Sequence, residues 1–314
     1  MTSTQLREIP ALGKLYAGAL GSAARAKVSS AKGSDTLPAD RHVVSGAAVD
    51  LAKLTDFQRL VLHSATDYLP TGYVHTFAFP VAMSLMARDD FPLPLLGMVH
   101  LRNVVQHYRP IHYSEPLTVT AWAENLDGHR SGTSVELVAE VTADDGDVLW
   151  RGRSTYLAKG VFLPKTDRPG ESAGRPEFVP PLPTAVWRLG ADAGRNYARV
   201  SGDFNPIHLS RLSAKALGMK RSLAHGMYLA SRVVSDAVQA HEGPFEWTID
   251  FESPVFLPAT VAVSIHDDEA GSSWAGSTFT GWNPRSQRRH FAGTVRPLDA
   301  GDTSGEAFPV AAKA

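Results

Sequence analysis

The chain has 314 residues, 43% of them from the apolar and aromatic set and 20% charged, enough apolar material for two sizeable cores and too much for a disordered chain. With 31 Lys+Arg against 32 Asp+Glu the formal charge is −1, which lacks the basic surplus of a nucleic-acid binder. Cysteine is absent, so disulfide scaffolds, thiolate metal sites and cysteine nucleophiles are excluded.

Residues 1–45 read as an N-terminal arm. Leu15 to Ala24 is diluted by Gly18, Gly21 and Ser22, so it fits a short amphipathic helix or loose arm better than a signal sequence. Residues 28–45 are small, polar and Gly-containing and read as a poorly ordered tail. No apolar run approaches the 18–20 residues of a membrane span, and the default address is the cytoplasm.

A first unit is expected over 46–163. It offers a short apolar helix over Pro80–Arg88 and strands over Leu101–Tyr108, Leu117–Glu124, Ser134–Val141 and Val148–Leu157. Six prolines between Pro164 and Thr184 mark a linker over 164–184, since proline supports neither a ladder nor a helix interior. Gly170, Ser172 and Gly174 there match a nucleophile-elbow pattern, but without a strand before or a helix after.

A second unit is expected over 185–299, followed by a tail over 300–314. Met227–Ala240 has helical spacing. Phe245, Trp247, Ile249 and Phe251 alternate with polar residues, as do Val261, Val263 and Ile265, and Trp274–Trp282 and His290–Val295 are further strands. At an offset of 144 residues, Pro110, Ile111, Leu117 and Val119 fall on Pro254, Val255, Val261 and Val263. With the shared order of elements, this points to duplication of one α+β unit.

The chemistry gathers between Tyr197 and Met227. Asn205-Pro206 is an N-cap and first-turn pair for a helix over Ile207–Leu217, which Gly218 can end. Asp203 in the turn and His208 on the first helical turn can face one volume. His225-Gly226 opens the long apolar helix, where a free backbone N–H and the helix dipole favour developing negative charge. A Gly at that point lets a carbonyl oxygen approach.

SGDFNPIH, with the Gly of AHGM eighteen residues further on, resembles the signature of the MaoC-like (R)-specific enoyl-CoA hydratase and 3-hydroxyacyl-thioester dehydratase family. YRPIHYSEPLTV and DFESPVFLPATV extend the resemblance over both halves. It implies an α+β double hot-dog, two antiparallel sheets each wrapped around a central helix. Asp203 and His208 become the catalytic pair and Gly226 the oxyanion donor. Tyr197, Asn205, His225, Lys220 and Arg221 are further substrate-binding candidates, the last two placed to meet phosphates.

The implied reaction is reversible hydration of trans-2-enoyl thioesters on CoA or acyl carrier protein. It uses no metal or cofactor, and leaves a homodimer open. In the first half Asp67 and His75 are eight apart, without Asn-Pro or Ala-His-Gly, so that half reads as substrate-shaping, its short helix leaving room for an acyl tail. A hot-dog thioesterase and a non-catalytic thioester-binding module stay as alternatives, with the intact motif against both. His100, His107 and His112 have no metal-ligand spacing, and Arg285, Arg288 and Arg289 read as a solvated basic hairpin.

Overall fold

The computed structural model describes residues 2–26, 34–164, 166, 177–238, 243–270 and 273–298. A short strand β1 (Ser3–Gln5) and a helix α1 (Leu12–Ala26) come first. The first repeat follows as β2 (Arg41–Ala47), α2 (Leu51–Val61), α3 (Thr71–Met86), β3 (Val99–His107), β4 (Leu117–His129), β5 (Gly132–Thr142) and β6 (Val148–Lys159). The second runs β7 (Ala185–Leu189), α4 (Ala193–Ser201), α5 (Pro206–Leu209), α6 (Arg211–Ala216), α7 (Gly226–Val238), β8 (Phe245–Phe251), β9 (Ala259–Ala270), β10 (Ser273–Trp282) and β11 (Arg289–Pro297).

The strands form one sheet in the order β1-β2-β4-β5-β6-β3-β8-β11-β10-β9-β7. Apart from β1, the order is mirrored about the β3–β8 seam. The two expected sheets are therefore halves of one. β3 and β8 would each present an unpaired edge, and they satisfy each other antiparallel from Arg102↔Asp250 to His107↔Phe245. The 144-residue offset survives: β2 and β7 begin at 41 and 185, and Leu117, Val119, Val261 and Val263 are fully buried.

The arm expected over 1–45 needs correction. Its last residues belong to β2, which pairs with β4 (His42↔Ala121) and buries Val44 and Ala47. Only four residues of that strand alternate in burial, too few to stand out. Nor is α1 loose: Leu12 and Tyr16, one turn apart, are both buried. Residues 27–33 and 299–314, and with them the C-terminal tail, lie outside the described residues, as do 167–176 with the Gly170–Gly174 pattern and the end of the 227–240 helix.

The first central helix is longer than the expected 80–88 stretch. α3 starts at Thr71 and carries Pro80 inside it. An interior proline costs about 3 kcal/mol, but only Thr76 and Phe79 on this helix escape full burial. Packing outweighs the lost hydrogen bond. The expected 207–217 helix instead breaks at Ser210, whose extended backbone lets its side chain cap α6 at Ser213 N.

The central helices α3 and α7 meet where a Cβ on Gly72 would stand 2.2 Å from Ser231 Oγ, so that position tolerates no side chain. Beside it, the Thr71 hydroxyl accepts both the Trp150 indole N–H (3.1 Å), from β6, and that of Trp247 (3.0 Å), from β8. The core lies between the sheet and these two helices.

Candidate active site

The site is built on the chain reversal after α4. Gly202 ends that helix in the left-handed region (φ 75°), its N–H bonding Ala198 O, and the chain turns back at Asp203. Asn205 N–H donates to Asp203 Oδ1 (3.2 Å), while the Asn205 side chain accepts from Ile207 N and caps α5. Thus Asn205, expected at the substrate, shapes the turn. Another position is constrained without any signal in the motif: a Cβ on Gly194 would stand 2.1 Å from the His208 carbonyl oxygen, so the close approach of α4 and α5 at that point needs a residue without a side chain.

His208 Nδ1 lies 2.9 Å from Leu223 O. A carbonyl can only accept, so Nδ1 carries the proton of the neutral ring and Nε2 keeps its lone pair. Burial pushes the His208 pKa below its ordinary value, against the opposing pull of Asp203 and the Leu223 carbonyl. By the same logic His225 Nε2–H donates to the Asp203 backbone oxygen (2.9 Å). His225 is 3% exposed and stacks on His208 with ring centroids 3.7 Å apart. It fixes the turn from below, and burial and His208 hold its pKa well down.

Asp203 is the meeting point of both repeats and of the N-terminal segment. The Tyr16 hydroxyl of α1 donates to Asp203 Oδ1 at 2.8 Å. The Asp203 charge is also felt by His75 on α3, Tyr156 on β6 and Tyr197 on α4, all buried. Burial drops the His75 pKa to about 4 and pushes the tyrosine hydroxyls up, keeping them protonated donors. Tyr197 packs its ring on His225, at 4.9 Å. A cavity of about 10 Å³, room for a single water, lies against α3 with His75, Phe79, Trp150 and Tyr156 among its lining residues.

Gly226 is the first residue of α7, and among the described residues no acceptor is paired with its N–H. A Cβ there would meet the Phe251 ring edge at 3.1 Å, a tight but yielding neighbour. Lys220 and Arg221 are exposed on the loop before α7, with the Arg221 guanidinium 5.9 Å from the Phe256 ring centroid.

Asp203, His208 and His225 offer one ligand atom each within 4.8 Å of one another, the metal-sized group among the described residues. His208 Nδ1 and His225 Nε2 donate their protons to the Leu223 and Asp203 backbone oxygens, so a metal could take only the other nitrogen of each ring without breaking those bonds. His100, His107 and His112 form no such group. His100 stacks on Tyr156, His107 on Phe245, and His112 on Tyr113. Arg289 pairs with Glu252 (2.7 Å) and lies over Phe178, while Arg285 and Arg288 are exposed.

In the first repeat α2 likewise ends in a left-handed residue, Leu62 (φ 61°), so His63 occupies the place of Asp203. Asp67, expected as that counterpart, is exposed, and His75 sits on the central helix and not in a loop. Tyr16 and Tyr156 had no sequence signal at all. Tyr156 falls in an expected strand and Tyr16 in a stretch read as a short amphipathic helix or loose arm, and neither pattern connects them to residue 203.

Two half-sheets joined edge to edge around two central helices make this a double hot-dog fold. A MaoC-like domain matches residues 170–280. The chain is 32% identical over 266 residues to 3-hydroxyacyl-thioester dehydratase X of Mycobacterium tuberculosis, covering 84% of this chain and 91% of that protein. The crystal structure of HtdX from the same organism superposes with a TM-score of 0.69 at 30% identity, over 82% of this chain and 100% of the other. A MaoC-like dehydratase from Phytophthora capsici shares the fold, with a TM-score of 0.63 at 16% identity over 83% of this chain and 96% of its own. The chain belongs to the MaoC-like dehydratase family.

Proposed function

We propose that this protein is a hydro-lyase that interconverts trans-2-enoyl and (R)-3-hydroxyacyl thioesters carried on CoA or acyl carrier protein. One observation carries the reading: the protonated Nδ1 of His208 leaves its Nε2 lone pair facing the same volume as the Asp203 carboxylate, with His225 of the same cluster leading directly into Gly226 at the start of α7. In hydration, Asp203 Oδ2 and His208 Nε2 hold one water. As the water oxygen bonds to C3, Nε2 takes its proton. The pair of electrons displaced from the double bond moves toward the thioester oxygen, where the Gly226 N–H meets the charge. Nε2 then returns the proton to C2 on the same face. Dehydration is the reverse. The thioester itself acidifies C2, so the reaction calls for no metal or redox cofactor.

The cavity lined by His75 and Tyr156 of the first repeat holds about 10 Å³, one water and not an acyl tail, so the room expected for the tail beside a short helix is taken up by the longer α3. Lys220 and Arg221 stand exposed where a phosphopantetheine or CoA phosphate would pass. No helix among the described residues is long and apolar enough to cross a membrane. A cytoplasmic address is part of this proposal, and α1 buries Leu12 and Tyr16 in the core. A homodimer fits this reading but is not required by it, since the site draws all its groups from one chain.

The deciding experiment follows loss of enoyl-thioester absorbance with CoA and carrier-protein substrates of graded chain length. Hydration that disappears in a folded Asp203→Asn variant supports the reading. Release of free thiol with no hydration would instead make the protein a thioesterase, and binding without turnover would make it a thioester-binding module.

A further inference from the structure

Among the described residues, the shortest hydrogen bond to the Asp203 carboxylate comes from 187 positions away in sequence. Tyr16 reaches Oδ1 from helix α1, ahead of the first repeat, although Asp203 belongs to the second. The contact is built. Tyr16 is 5% exposed, Leu12 one turn earlier is 3% exposed, and Leu15 and Ala19 pack against the same core. Burial and the neighbouring carboxylate keep the hydroxyl protonated, so it can only donate here. The Asn205 N–H donates to the same oxygen, so Oδ1 has two donors. Among the described residues Oδ2 has only the more distant His225 Nε2, at 3.7 Å, whose proton is directed at the Asp203 backbone oxygen. One carboxylate oxygen is clamped and the other is left for the site.

We propose that Tyr16 is a positioning residue: helix α1 completes the acid–base centre by clamping Asp203 Oδ1 so that Oδ2 is held toward the reacting water. A carboxylate is free to turn about its Cβ–Cγ bond, and one backbone N–H at 3.2 Å is a weak restraint on that rotation. A phenol donating to an ionised oxygen is a charge-assisted bond and a stronger one. The N-terminal segment is thereby part of the catalytic apparatus, delivered across the molecule by α1 packed on α3 and by β1 paired with β2 (Ser3↔Arg41). This inference rests on the hydro-lyase reading, with the water held between Asp203 and His208.

The test is a double-mutant cycle of Tyr16→Phe and Asp203→Ala, read both in enoyl-thioester hydration and in urea unfolding. Tyr16→Phe keeps the ring in its pocket and removes only the hydroxyl. It is expected to lower kcat about 10- to 100-fold, the worth of one hydrogen bond to a charged group, with KM changed less than about two-fold. In the Asp203→Ala background the same change is expected to move the residual kcat less than about two-fold, because its target is gone. The urea midpoints are expected to be non-additive in the same sense, and they need no substrate. Wild-type kcat in Tyr16→Phe overturns the proposal. So does an equal loss in both backgrounds, which would mark a packing role, or a faster enzyme, which would mark the hydroxyl as a restraint on Asp203 that slows turnover. If the wild-type protein hydrates no enoyl thioester, the hydro-lyase reading falls, and the unfolding cycle still decides the clamp: additive midpoints remove it.

Discussion

The loops that follow α2 and α4 begin alike and end as different devices. Each leaves its helix through a left-handed residue, Leu62 in one and Gly202 in the other. The first repeat then runs residues 63–70 straight into its central helix. The second inserts α5 and α6 and spends residues 203–225 on the way. The pair that moves a proton on one face, Asp203 and His208, lies in that insertion together with the Leu223 carbonyl that sets the His208 tautomer. The sheet and central helices, common to both repeats, supply no proton-transfer group, and α7 adds the Gly226 N–H at its start. What they supply is a place: His75 and Tyr156 of the loop-poor repeat bring a polar lining within the field of Asp203.

The comparison breaks most decisively at the pair itself. Asp203→Asn and His208→Ala are each expected to retain the far-ultraviolet circular dichroism of the wild type while losing kcat by about 10²–10⁴, as for a lost acid–base group. The double variant is expected to be little worse than either single one, because the two act on one water. A folded single variant with near-normal hydration would remove the loop from the mechanism.

Next in size comes the helix start. Gly226→Pro deletes the N–H at a first-turn position that proline tolerates, with an expected loss of about 10²–10³ in kcat. Gly226→Ala retains the donor, but its methyl meets Phe251, so the fair control is Gly226→Ala combined with Phe251→Leu. Equal losses in the proline variant and that control would trace the effect to crowding.

The buried histidines of the first repeat sharpen the contrast through stability. Burial lowers the pKa of His75 and His107 to about 4 and of His100 to about 3. Unfolded, each titrates near the ordinary 6.5, so as pH falls below that value the unfolded chain binds protons first. Stability is full above that value and declines as pH falls toward about 4, by up to about 1.4 kcal/mol per pH unit for each histidine. Urea midpoints measured at stepped pH check the slope. His107→Phe, which keeps the stack on Phe245, is expected to flatten it by one proton. Smallest of all, Asp67→Asn is exposed and is expected to leave stability within about 0.5 kcal/mol and hydration unchanged.

How far the sequence could be read follows from the range of each interaction. Alternation made most of the strands visible, since Trp247, Ile249, Val261 and Val263 bury one face of the sheet and show it locally. Asp203, His208 and Gly226 were visible because the turn, the cap and the helix start leave short-range residue types behind. Pro80 misled at α3, where burial of nearly the whole helix outweighs a local breaker. β2 hid because its alternation is so short. The Tyr16–Asp203 bond joins residues 187 apart and depends on the packing of α1, so no local pattern announces it. Gly194 is the same case: its need for a bare Cα comes from the His208 carbonyl, which arrives from elsewhere.

The shared hydroxyl of Thr71 bears on what the proline-rich segment is for. One oxygen serves indoles from both repeats, and β3 and β8 complete each other's ladders, so neither half has a finished interior of its own. Released alone, the second half would expose the edge of β8 and strand the Trp247 N–H, the condition of a chain that sticks to its neighbours. The segment before β7 is then best seen as a tether. It raises the local concentration of each half for the other. Cleavage between Glu177 and Pro183 is accordingly expected to leave two fragments that stay together on a sizing column and come apart only when they unfold.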